Sequence, residues 1–124
     1  IAGNSRFKTP RYVPPENIVA ELRSMDVCVI PSLWPETGPL SLFDAFAAQL
    51  PIIGTNLAGI ADRVKDGESG LLFKWGDSED LARKIRQVLD NRELLNQFRR
   101  AIPPNHTFAE MATNIGRLYC KMTY

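Results

Sequence analysis

Asp26-Val27-Cys28-Val29-Ile30-Pro31-Ser32-Leu33-Trp34-Pro35-Glu36-Thr37-Gly38-Pro39-Leu40-Ser41-Leu42-Phe43-Asp44-Ala45-Phe46-Ala47-Ala48-Gln49-Leu50-Pro51-Ile52-Ile53-Gly54 holds four textures in succession. Residues 26–30 form a short apolar, β-rich run, which predicts a buried strand. Residues 31–38 carry two prolines and a glycine and can continue neither strand nor helix, so they form a loop. Pro39 sits where a helix favours its first residue, and residues 40–50 follow without a breaker. Residues 51–54 read as the next strand. Strand, loop, helix, strand is the repeating unit of a parallel sheet.

Working outward, the same alternation continues. Upstream, Pro14-Pro15-Glu16 opens a segment whose Ile18, Val19 and Leu22 share one helical face. Downstream come a short helix near residues 60–64, the turn signal Asp66-Gly67 and a strand at residues 71–73. Asp77 is placed to cap a helix with Leu81, Ile85, Val88 and Leu89, and Asn91 to cap one with Leu94, Leu95 and Phe98. Val88, Leu89, Leu94, Leu95 and Phe98 are assigned to the core. Thr107 with Glu110 forms a capping-box pattern before a last segment over residues 111–119. Residues 1–10 show no clear period. The fold class expected is α/β: a Rossmann-like parallel sheet with helices on both faces, and ligands beyond the carboxyl ends of the strands.

Composition narrows the functions. With 124 residues, 44% of them hydrophobic, one domain over residues 1–124 is expected. Fifteen basic and 14 acidic residues nearly cancel, so no overall field draws the chain to nucleic acid or an anionic membrane. Cys28 and Cys120 lack metal-ligand spacing, which favours reduced thiols in a cytoplasmic chain. No stretch reaches the roughly 20 apolar residues of a membrane span. The opening Ile1-Ala2-Gly3-Asn4 has neither an initiator Met nor a signal pattern and reads as interior to something longer.

The strand-to-helix loop is where chemistry is expected. Unpaired N–H groups at a helix start carry about half a positive charge and attract anions. Gly38 lets a ligand approach the backbone, Pro39 has no N–H, and Leu40 and Ser41 supply the donors. On its own this reads equally as an ordinary solvated helix start. The carboxylates add a second signal: across residues 37–61 the one charged residue is Asp44, in an apolar helix and four residues after Leu40. A buried carboxylate requires a donor, either a ligand hydroxyl or a nearby cation in a structural ion pair. Glu36, in the loop, either faces a ligand or stands in solvent. Two carboxylates flanking a helix start suit a phosphate at the amides with hydroxyl-bearing sugars on either side.

At these residues the chain resembles the retaining glycosyltransferases built from two Rossmann-like domains (the GT-B type), in particular glycosyltransferase family 4. Their donor-site pattern is Glu, seven residues, Glu, set in Pro-Ser-…-Glu-x-x-Pro-Leu-Ser-Leu-Leu-Glu-Ala-Met-Ala-x-Gly-x-Pro-Val-Ile, against Pro31-Ser32 through Pro51-Ile52-Ile53 here. The likeness extends to Arg11-Tyr12-Val13-Pro14-Pro15, Gly59-Ile60, Asp66-Gly67, Gly70-Leu71-Leu72-Phe73 and Asp80-Leu81-Ala82. It implies the C-terminal, donor-binding half of such an enzyme. Glu36 would be the catalytic-site carboxylate facing the donor sugar, Gly38, Leu40 and Ser41 the diphosphate cradle, Asp44 the ribose ligand and Val13 the border of the base. It also implies transfer of a sugar from a nucleoside diphosphate with retention, without metal or further cofactor, in polysaccharide or glycolipid synthesis. The partners implied are a nucleotide-sugar donor, an N-terminal acceptor-binding domain and a saccharide or lipid-linked saccharide acceptor. Without that domain the chain is expected to be inactive; with it, the resemblance also allows peripheral contact with the inner face of a membrane.

The chain departs from the pattern at three places. Asp44 stands where the family has Glu, Gln49-Leu50 replaces a small-residue and glycine junction, and the family's basic diphosphate clamp lies upstream of anything matched here. Arg6 and Lys8 stand too close to Val13 to take that role. A non-catalytic nucleotide-binding or regulatory α/β module is the alternative, although a carboxylate at the sugar end would be superfluous there. A receiver-type signalling domain would need an acidic pair for a divalent cation at its first strand end. His106 reads as a neighbour of the Thr107 cap, Trp34 and Trp75 as packing or sugar-stacking residues, and Arg99-Arg100 as a solvated helix face.

Overall fold

Alternating periodicities produce alternating elements. The computed structural model of the chain describes residues 12–104 and 108–122. Its elements are α1 (Pro15–Leu22), β1 (Cys28–Ile30), α2 (Leu40–Ala47), β2 (Ile52–Thr55), α3 (Ala58–Ala61), β3 (Gly70–Phe73), α4 (Ser78–Asp90), α5 (Glu93–Ala101) and α6 (Phe108–Met122). The strands form one parallel sheet in the order β1-β2-β3. His106, the Thr107 cap, Arg6, Lys8 and Arg11 lie outside the described residues.

Because successive strand residues point to opposite faces, β2 feeds two cores. Ile52 joins Ile30, Leu42, Ala45, Phe46, Ile60 and Val64 on the face covered by α1, α2 and α3. Ile53 joins Leu71, Phe73, Val88, Leu95 and Phe98 on the face covered by α4 and α5. Helices on both faces are therefore what the structure has.

Local chemistry sets the element ends. Asp77 caps α4, its side chain accepting from the amides of Glu79 and Asp80. At the end of α2, Leu50 N–H donates to Ala45 O (2.8 Å) and Gln49 N–H to Phe46 O (3.0 Å). This is a Schellman arrangement with Gln49 at φ 57°, the left-handed position that glycine fills most readily. The turn at Asp66-Gly67 is present, with Gly67 at φ 78°.

Four sequence expectations are corrected. β1 is not fully buried: Ile30 is, but Val29 points to the second face, beyond the cover of α4 and α5, and stands 38% exposed. Leu89 is not core, being 63% exposed, because α4 meets the second core through Leu81 and Val88 and position 89 turns past that line. Asn91 does not cap α5 with its side chain; it ends α4, and its carbonyl accepts from Leu94 N–H. Pro39 is the residue before α2, not its first. Of the two readings open for Trp34, packing is the one the structure does not bear out, since the side chain stands 78% exposed in the loop.

Candidate functional site

Three segments converge beyond the carboxyl ends of the strands: the loop 31–39 after β1, the start of α3 after β2, and Trp75 after β3. The loop is tied to both neighbours. Trp75 Nε1–H donates to Leu33 O at 3.1 Å. Gly59 of α3 packs so tightly on the loop that a Cβ there would fall 1.8 Å from Glu36 O. Arg63, just after α3, donates from one terminal nitrogen to Thr37 O at 3.1 Å and to Gly59 O at 3.2 Å.

Within the loop, Glu36 is exposed and accepts from Ser32 Oγ at 3.3 Å. Gly38 has φ 150°, conformational space that side chains avoid, and its missing Cβ would lie 3.1 Å from the Phe43 ring. Pro39 precedes α2, whose first internally paired amide is that of Leu42, donating to Pro39 O at 3.0 Å. The Leu40 and Ser41 amides come before it, and both residues are exposed. They present the donors of a helix start to solvent.

Asp44 lies one turn further along, on the side of α2 that carries Leu40. It is half-buried, not deeply enclosed, since α2 closes off Leu42, Ala45 and Phe46 instead. Among the described residues its carboxylate makes no hydrogen bond or ion pair. The structural ion pair considered for Asp44 is therefore not seen there.

The structure thus brings Glu36, Gly38, Leu40, Ser41 and Asp44 together on one loop and helix start. Val13 is placed apart from them, half-buried and lining a surface depression with Tyr12, Pro14, Asn17, Ala20 and Glu21. Sequence reasoning missed Arg63 and Gly59 as the braces of the loop. Their four-residue spacing on one short segment was the available signal, but nothing local connects them to Thr37.

Cys28 is half-buried and burial pushes its thiol above the usual range, which suits a packing residue and not a nucleophile. Cys120 is exposed, and both thiols are free. Among the described residues no helix is long and apolar enough to cross a membrane.

With this geometry established, comparison with known proteins is informative. A family model described as glycosyl transferases group 1 matches residues 3–103. The chain belongs to that family. This group 1 domain is 38% identical over 96 residues to a D-inositol 3-phosphate glycosyltransferase of Geodermatophilus obscurus, covering 77% of the chain and 21% of the relative. It is 31% identical over 121 residues to the D-inositol 3-phosphate glycosyltransferase of Corynebacterium efficiens, covering 95% of the chain and 28% of the relative. It thus spans between a fifth and a third of the length of these two relatives.

Among solved structures, sucrose-phosphate synthase from Thermosynechococcus elongatus superposes with a TM-score of 0.79 at 25% identity, over 96% of this chain and 31% of that one. Anabaena HepE, solved in complex with UDP and glucose, superposes with a TM-score of 0.73 at 16% identity, over 86% of this chain and 30% of that one. The group 1 domain accordingly has the Rossmann-like α/β fold of GT-B glycosyltransferases.

Proposed function

We propose that this group 1 domain binds a nucleoside-diphosphate sugar as the C-terminal donor domain of a retaining glycosyltransferase of the family 4 type. The observation that carries the reading is Asp44. A half-buried carboxylate without a partner among the described residues, one turn from the amides of the exposed Leu40 and Ser41, suits a ligand that places hydroxyls next to a phosphate. HepE, a fold neighbour, has been solved with UDP-glucose, which supports a nucleotide sugar as the ligand class.

In the proposed chemistry the Leu40 and Ser41 amides hold the diphosphate, Asp44 accepts from the ribose hydroxyls, and Glu36 accepts from the sugar hydroxyls. Val13 is assigned to the border of the base. The bond between the anomeric carbon and the diphosphate oxygen breaks, and the diphosphate leaves with the electron pair. An acceptor hydroxyl oxygen bonds to the same face of that carbon and passes its proton to the departing diphosphate oxygen. Donors aimed at the leaving oxygens stabilise the charge that develops there, so the proposal requires neither metal nor cofactor. Transfer itself is ascribed to the domain acting with an N-terminal acceptor-binding domain, on a saccharide or lipid-linked saccharide, in the cytoplasm.

Calorimetric titration of the chain with UDP and with 2′,3′-dideoxy-UDP tests the reading. Asp44→Ala is expected to weaken UDP binding by about 1.5–3 kcal/mol, the range for a hydrogen bond to a charged group, and to leave the dideoxy ligand nearly unaffected. Asp44→Glu is expected to bind UDP at least as tightly as the parent. Equal losses for both ligands would remove Asp44 from the ribose site.

A further inference from the structure

The turn that presents the cradle is not self-supporting. Residues 36–38 form no regular element, yet three groups from elsewhere close on them. Gly59 admits the loop backbone where any side chain would collide with Glu36 O. The Phe43 ring lies under Gly38. Arg63 completes the brace: its guanidinium carbon is 5.2 Å from the Phe43 ring centroid, and the missing Cβ of Gly38 would be 3.5 Å from it. One Arg63 nitrogen thereby joins the carbonyls of Thr37 and Gly59 while the guanidinium stands over the Phe43 ring of α2.

Resting on the reading of residues 38–41 as a diphosphate cradle, we propose that Arg63 is a positioning residue for diphosphate binding. It fixes the Thr37–Gly38 peptide against the first turn of α2. A planar guanidinium can bond two carbonyls from one edge and stack on an aromatic face simultaneously; a lysine ammonium is a compact point charge with no plane to stack. Direction matters because amide donors bind an anion well only when they converge on it. With the turn held, the exposed Leu40 and Ser41 amides keep one orientation before ligand arrives. Without the brace, the turn must be ordered at the moment of binding, and that ordering weakens the affinity.

This role differs from a direct electrostatic contact in what lysine can rescue. The full chain and its Arg63→Lys and Arg63→Ala variants are titrated with UDP and with uridine, while amide NMR shifts of Gly38, Leu40 and Ser41 are recorded without ligand and thermal unfolding is followed. Both variants are expected to bind UDP about tenfold more weakly, the lower end for loss of charge-assisted hydrogen bonds. Uridine affinity should hold, and the three amides should shift in the free protein. UDP binding by Arg63→Lys equal to the parent's would overturn the positioning role, because charge alone would then suffice. Equal weakening of UDP and uridine alongside a lowered unfolding temperature would overturn it in favour of a scaffold contact. If the parent binds UDP and both variants match it, Arg63 is idle while the donor reading stands. A parent that fails to bind UDP overturns the donor reading and this role together.

Discussion

In α2, Leu42, Ala45 and Phe46 are closed off from solvent, whereas in α6 Met111, Ile115, Leu118, Tyr119 and Met122 are all exposed. Both helices carry an apolar stripe at helical spacing, and α6, with 15 residues, is nearly twice the length of α2, with 8. The difference is position in the chain. Helix α2 is the crossover between two paired parallel strands, so Ile30, Leu50 and Ile52 must lie under it. Helix α6 follows the last described strand, and no described element covers its face: every residue from 109 to 122 with a described side chain is exposed. An apolar stripe states that a helix can bury a face; neighbouring strands determine whether it does.

Matched truncations should break this contrast if it is false. Leu42→Ala removes a side chain that is 0% exposed and is expected to cost about 2–5 kcal/mol in urea unfolding, from lost transfer energy and the cavity left behind. Leu118→Ala removes the same atoms from a 61% exposed site and is expected to change stability by no more than about 0.5 kcal/mol. Similar losses at the two sites would mean that the α6 stripe is packed in solution.

The end of α2 sharpens the comparison at smaller scale. Gln49 holds φ 57° in a helix terminus where its side chain donates to Phe46 O at 3.4 Å. Gln49→Gly is expected to raise stability by about 1 kcal/mol, since a side chain in the left-handed region costs roughly 1–2 kcal/mol. Chemical denaturation checks it, with UDP binding as a control because residue 49 lies at the far end of α2 from the cradle.

Helix α4 is the intermediate case, and its first turn should show the smallest effect. The hydrogen bond from Lys74 N–H holds the Asp80 carboxyl below its ordinary value of 3.8, with Arg83 and Lys84 adding to the effect against some desolvation. A carboxyl depressed on folding stabilises the fold above its unfolded pKa, and that contribution disappears as pH falls through the folded pKa. The difference in unfolding temperature between parent and Asp80→Asn should therefore be present at neutral pH and vanish below the folded pKa. A difference that persists unchanged in acid would assign the effect to packing.

Much of the molecule was legible in residues 26–54. β-branched apolar runs, proline and glycine breakers and helical spacing act over a few residues, so they locate strands, loop and helix without reference to anything distant. The helix start at Leu40 and Ser41, the isolation of Asp44 in uncharged sequence and the Asp77 cap follow from the same short-range rules, and each appears in the structure. The candidate site segment was legible too, because Glu36, Gly38, Leu40, Ser41 and Asp44 lie on one continuous stretch.

Other features depended on how the segments meet. Leu89 and Val88 are neighbours with similar hydrophobicity, and only the placement of α4 on the sheet buries one and exposes the other. Val29 has the composition of a buried strand, and it is exposed because the helices on its face cover β2 and β3 instead. Arg63 reads in sequence as one more surface cation; the crossing of α3 behind the loop brings it to Thr37, 26 residues away. The sequence by itself determined which elements form and where the candidate donor groups sit along the chain, because propensity, capping and turn chemistry are local. Tertiary structure alone decided which faces are covered and what braces the loop before α2, because burial and long-range hydrogen bonds belong to pairs of segments and are written in neither one.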